Sequence, residues 1–174
     1  MEKLTSSRPH GRVLVVDDQL ENLRIVTEIL NSHHYHVRSA ISGKMALAVA
    51  QFWIPDVILL DLNMPRMDGY AVCRRMKINP NIANVPIIFM SGMDDVLEMV
   101  KAFAVGGVDY VLKPFHPIEV LARVRTHITL SQLQHQLQVK NRLLEAQNQQ
   151  LMQEVESRMT AEVTLRMLNQ SLMD

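Results

Sequence analysis

The 174 residues suffice for one ordinary domain with an appendage, and hardly for two full globular domains. Hydrophobic residues at 48% and charged residues at 21% exclude wholesale disorder, and Lys+Arg 18 against Asp+Glu 18 excludes an overall basic field for nucleic acid or an anionic membrane. Cys73, the single cysteine, excludes an internal disulfide and lacks the paired spacing of a thiolate zinc site, which fits a reducing compartment.

Residues 1–10 are short and polar, read as a flexible terminus with no apolar leader segment. No run of about 18 apolar residues follows, so a soluble protein is expected. Five short apolar runs come next: Val13–Val16, His36–Ala40, Val57–Leu60, Ile87–Met90 and Val108–Leu112. Each is rich in β-branched residues or short enough to be a strand buried on both faces. Between them apolar residues recur at helical spacing: Leu20, Leu23, Val26 and Leu30; Met45, Ala46, Val49 and Phe52; Val72, Arg75 and Met76; Val96, Met99, Val100 and Phe103. Strict alternation of strand and helix predicts a doubly wound α/β fold, a five-stranded parallel sheet with helices on both faces.

The composition changes after Phe115. No aromatic lies beyond it, the last Gly is Gly107 and the last Pro is Pro117. Residues 118–174 are mostly good helix formers with nothing to turn the chain, which predicts one long helix. Leu130, Leu137, Leu144 and Leu151 repeat every seven residues. Placing them at d puts Gln134, Asn141, Asn148 and Val155 at a, with Lys140 at g and Glu145 at the following e. That pattern predicts a parallel two-stranded coil over residues 130–155, the expected site of homodimerisation. Beyond Val155 the spacing drifts, which indicates a stutter or a change of packing partner. The absence of a cap before Asp174 reads as a truncated end. The domain division expected is 11–129 for the α/β part and 130–174 for a coil continuous with its last helix.

In doubly wound sheets the functional crevice lies beyond the carboxyl ends of the strands. Asp17 and Asp18 end the first run, Asp61 the third, Ser91 the fourth and Lys113 the fifth. Three carboxylates at one edge repel one another unless a cation compensates, and Mg²⁺ suits such oxygen donors. One Asp could then attack a phosphoryl group, with Lys113 neutralising charge and Ser91 donating to a phosphoryl oxygen. Neither His33, His34 and His36, two of which alternate along a strand, nor Ser42-Gly43-Lys44, without a glycine loop, makes a comparable site.

VLVVDD at 13–18, LLDLNMPRMDGY at 59–70, FMSG at 89–92 and DYVLKPF at 109–115 resemble the receiver domain of two-component response regulators, over about the first 125 residues. The resemblance implies a flavodoxin-like receiver fold with Asp61 as phosphoacceptor. It further implies Mg²⁺ on Asp18, Asp61 and the backbone carbonyl of Asn63, with Asp17 acting nearby through metal-bound water. Ser91 and Tyr110 would be the switch pair, Lys113 the phosphate-pairing lysine, and Lys113-Pro114 a cis bond. It also implies a cognate histidine kinase as phosphodonor and a cytoplasmic setting. No helix-turn-helix or basic reading surface follows residue 117, so direct DNA binding is not expected. The chain shown carries no separate catalytic motif. Two other readings stay open: the front part of a longer signalling enzyme (a cyclase, diguanylate cyclase, phosphatase or hybrid kinase), and a coiled-coil scaffold with a vestigial acidic site.

Overall fold

The computed structural model describes residues 10–92 and 96–172. Apart from His10, the expected flexible terminus lies outside the described residues, as does Asp174, on which the reading of a truncated end rested. In chain order the elements are β1 (Arg12–Val16), α1 (Leu20–Asn31), β2 (His36–Ala40), α2 (Gly43–Phe52), β3 (Val57–Asp61), α3 (Gly69–Lys77), β4 (Ile87–Ser91), α4 (Val96–Ala104), β5 (Asp109–Leu112) and α5 (Pro117–Ser171). Contacts divide the chain into two compact units, parting between Ser131 and Gln132.

In the first unit the five strands form one parallel sheet in the order β2-β1-β3-β4-β5. Their register aligns Val16 with Ala40 and with Leu60, and Asp61 with Met90. The ends of β1, β3 and β4 therefore fall at one edge. β3 and β4 are buried at every residue, whereas β2, at the sheet edge, alternates exposed and half-buried positions before Ala40. That difference follows from helices covering both faces of the central strands.

The two-residue period of a strand sorts the core into two layers. Leu14, Val16, Ile58, Leu60, Ile87 and Phe89 face α2, α3 and α4. Val13, Val15, Val57, Leu59, Ile88 and Met90 face α1 and the start of α5. Helix starts are fixed locally: Ser42 Oγ accepts from Met45 N–H and Asp68 Oδ1 from Ala71 N–H, each satisfying an otherwise unpaired amide of the first turn.

Helical spacing located the helices and the buried Leu23, Val26, Leu30, Ala46, Val72 and Met76, but it also named side chains that face solvent. Phe52 is 89% exposed, and Leu20, Met45, Val96, Val100 and Phe103 are exposed too. Arg75 also points to solvent. α2 packs through the expected Ala46 together with Gly43 and Ala50, and Ala102 is the buried residue of α4. The cause is close approach: a Cβ on Gly43 would lie 2.5 Å from Val72 Cγ2. Gly43 thus lets α2 and α3 meet, and a reading weighted by apolar bulk overlooks such small residues.

Pro117 opens α5, where its missing N–H leaves no intrahelical bond unmade. Val120, Val124 and Ile128, one turn apart, are its buried residues. The second unit, from Gln132, is helical through Ser171 and every described side chain in it is exposed. Among the described residues no helix is long and apolar enough to cross a membrane.

Candidate functional site

Parallel strands in register bring the expected polar groups to one edge of the sheet. Asp61 is the last residue of β3, Ser91 the last of β4, and Asp17 and Asp18 follow β1 directly. Lys113 follows β5, and its N–H donates to the Ser91 carbonyl at 2.7 Å, continuing the β4–β5 ladder by one rung. The Lys113-Pro114 bond is cis.

Asp17 is fully buried and Asp61 is 3% exposed. Both carboxylates accept from one ammonium: Lys113 Nζ lies 2.7 Å from Asp17 Oδ2 and 2.8 Å from Asp61 Oδ1. Asp17 also accepts from the Gln19 N–H at 2.8 Å and from Asn22 Nδ2 at 3.2 and 3.0 Å. Asp18 differs, for its Oδ1 is buried and has no hydrogen-bond partner. One oxygen each of Asp17, Asp18 and Asp61 lies within 4.8 Å of the others.

One ammonium thus pairs with two of three clustered carboxylates. Burial, the largest effect, pushes the Asp61 carboxyl above its ordinary value, and the charges of Asp17 and Asp18 add to that, while Lys113 opposes it. Burial also works against the Lys113 ammonium, but its bonds to Asp17 and Asp61 outweigh that and leave its pKa raised. The orphaned Asp18 oxygen and the uncompensated negative charge are what a hard divalent cation would satisfy, and all the donors are oxygens. The residues present fit Mg²⁺.

Behind the acid cluster the backbone is tight. Gly69 N–H donates to the Leu62 carbonyl at 2.9 Å, and a Cβ on Gly69 would overlap the Asp61 carbonyl oxygen. Only glycine permits α3 to start this close to Asp61. Asn63 lies two residues past Asp61 and is exposed. Ser91 is 5% exposed. Tyr110, in β5, is half-buried, its ring 6.5 Å from that of Phe103 and its face 5.7 Å from the Arg123 guanidinium.

The histidines stay apart from this chemistry. His34 stacks on His10 at 6.0 Å and His36 meets the edge of Trp53 at 5.6 Å. Among the described residues no histidine joins a group of three or more metal-ligating side chains. Asn22 was not anticipated from the sequence. Its signal was present: it lies in the first turn of α1, the helix that begins at the acidic edge.

Residues 13–125 match the family model for the response regulator receiver domain. The chain is 37% identical over 116 residues to the response regulator PleD of Caulobacter vibrioides, covering 67% of this chain and 26% of that protein. It is 38% identical over 114 residues to the probable transcriptional regulator ycf27 of Guillardia theta, covering 66% of this chain and 44% of that one. The chain thus spans less than half the length of these relatives. Among solved structures, a putative response regulator from Chloroflexus aurantiacus superposes with a TM-score of 0.67 at 31% identity, over 70% of this chain and 98% of that one. With four strand ends supplying the acids, the hydroxyl and the ammonium, and a family model matching well over half of the sequence, the chain belongs to the response regulator receiver domain family.

Proposed function

We propose that the chain is a response regulator of two-component signalling, receiving a phosphoryl group on Asp61 from a cognate histidine kinase in the cytoplasm. The observation that carries this is the clustering of Asp17, Asp18 and Asp61 within 4.8 Å, with one ammonium bonded to Asp17 and Asp61 and a buried Asp18 oxygen left unpartnered. Such an intact set supports a working receiver over a vestigial one.

In this reading an Asp61 oxygen attacks phosphorus, the bond from phosphorus to the donor's imidazole nitrogen breaks, and that nitrogen keeps the electron pair. Lys113 releases Asp61 to act as nucleophile and stays within reach of the new phosphoryl oxygens, where its positive charge is needed most. Ser91 donates its hydroxyl to one of those oxygens, and Tyr110 follows the space it vacates. Asp18, Asp61 and the Asn63 carbonyl would hold Mg²⁺, with Asp17 alongside and oriented by Asn22. When bound, the ion supplies the positive charge that offsets the carboxylates and the transferring phosphoryl group.

The receiver, residues 11–129, is read as the input, and residues 130–174 as a coil that associates as a parallel homodimer through 130–155. The contact boundary at Ser131 supports that division to within two residues. Leu137, Leu144, Leu151 and Val155 are all more than half exposed in the single chain, a seam that needs a partner. Asn141 and Asn148 at a would fix its register, and Lys140 would pair with Glu145 of a second copy.

The test is intact mass after incubation with Mg²⁺ and acetyl phosphate, beside Asp61→Asn and a metal-free control. One added phosphoryl group on the unaltered protein with Mg²⁺, and none on either control, is the expected result. A folded protein that gains none, from acetyl phosphate or from a histidine kinase, would overturn the reading.

A further inference from the structure

α4 is held to the sheet by little apolar burial. Ala102 is its buried residue, while Val96, Leu97, Val100 and Phe103 are exposed. What ties its first turn down is polar and comes from α3. The Tyr70 hydroxyl lies 2.5 Å from Glu98 Oε2 and 3.1 Å from the Glu98 backbone carbonyl, and Lys101 Nζ holds the other carboxylate oxygen at 2.9 Å. These bonds keep the Glu98 carboxyl below its ordinary range, the Tyr70 bond foremost.

Tyr70 is placed to sense the acidic edge. It follows Gly69, whose Cα sits against the Asp61 carbonyl, and its ring packs 5.8 Å from Phe89, two residues before Ser91 in β4. Tyr70 therefore packs on the strand that carries the expected switch hydroxyl and grips the first turn of α4, while its neighbour Gly69 adjoins the backbone of the phosphoacceptor.

We infer that Tyr70 and Glu98 form a latch that holds α4 in the unphosphorylated arrangement, so that breaking it favours the phosphorylated one. This deepens the receiver reading and rests on it. The argument is linkage: a contact made in one of two states and weakened in the other biases the equilibrium toward the first by its differential strength. Tyr70→Phe keeps the ring against Phe89 and deletes only the hydroxyl.

The experiment uses the full chain and beryllofluoride with Mg²⁺ as a mimic of the phosphorylated aspartate. Its affinity is measured by titration for the unaltered protein, Tyr70→Phe, Glu98→Ala and the double variant, with hydrogen exchange of residues 96–104 in each. Tyr70→Phe should bind about three- to tenfold more tightly, the range expected for losing one net hydrogen bond from the unliganded state. Its α4 amides should exchange faster only when beryllofluoride is absent. The double variant should fall short of the sum of the singles, because both remove the same interaction. Glu98→Gln, which keeps an acceptor, should lie near the unaltered protein. Unchanged affinity and exchange in Tyr70→Phe would overturn the latch, as would equal loosening of α4 with and without the mimic, which marks a merely structural bond. Failure of the unaltered protein to bind beryllofluoride at all would instead count against the receiver reading.

Discussion

Residues up to Ser131 and those from Gln132 onward are built from similar apolar side chains and use them in opposite ways. In the first unit Leu14, Leu59, Leu60 and Ile88 are completely buried between helices. In the second, Leu144 is 55% exposed and no described side chain is buried. Burying such a side chain contributes about 1.5–3 kcal/mol, so the first unit accounts for its own folding and the second has yet to collect that stabilisation. A lone helix without tertiary packing is marginal in water. The comparison teaches that the acidic site sits on a self-sufficient scaffold, whereas the helix depends on what it meets.

The strongest way to break the first half of this comparison is Lys113→Met. It strands two buried carboxylates, so the metal-free protein should lose about 3 kcal/mol, read by urea denaturation. Added Mg²⁺ should recover part of the loss, and an unchanged midpoint would show that the ammonium does not offset the acids. For the second unit, Leu144→Asp should weaken self-association by about 100-fold in sedimentation equilibrium, because it places like charges in the seam of a parallel pair. Unfolding of the first unit should be unaffected. A lesser change tests which residues are core: Ala50→Leu, overpacking α2 against the sheet, should cost about 1–3 kcal/mol, whereas Phe52→Ser should fall within about 0.5 kcal/mol of the parent.

A modest, pH-dependent effect belongs to Asp109. Burial alone would raise its pKa, but hydrogen bonds from Arg123 and His127 outweigh that and hold it below the usual carboxylate value. A depressed folded-state pKa stabilises the protein above the unfolded value and ceases to do so as pH falls through the folded one. Asp109→Asn should therefore cost about 1 kcal/mol near neutral pH, and the gap from the unaltered protein should close in acid. A gap that widens in acid would reverse the assignment.

Much of this architecture was legible in the sequence because its signals are local. Short β-branched runs mark buried parallel strands, and Asp17, Asp18, Asp61, Ser91 and Lys113 are legible as a group because each ends such a run. The strand limits moved by a residue or so, with Arg12, Asp61 and Ser91 inside their strands and Val108 outside. The inner faces of α2 and α4 were only partly legible: Ala46 was read, but Gly43, Ala50 and Ala102 carry little hydrophobic signal although they are buried where the elements approach. Nor was the grip of Tyr70 on Glu98, a contact across 28 residues that only the folded chain brings together. The heptad was visible in the second unit, but a repeat states what a helix can pair with and leaves the pairing itself to experiment.

The most direct test of the link between the two units is sedimentation equilibrium of the full chain with Mg²⁺, with and without acetyl phosphate, beside Asp61→Asn. The account predicts a shift in the dimer dissociation constant on phosphorylation of the unaltered protein and none in Asp61→Asn. An identical constant in a sample whose intact mass shows the added phosphoryl group would contradict it.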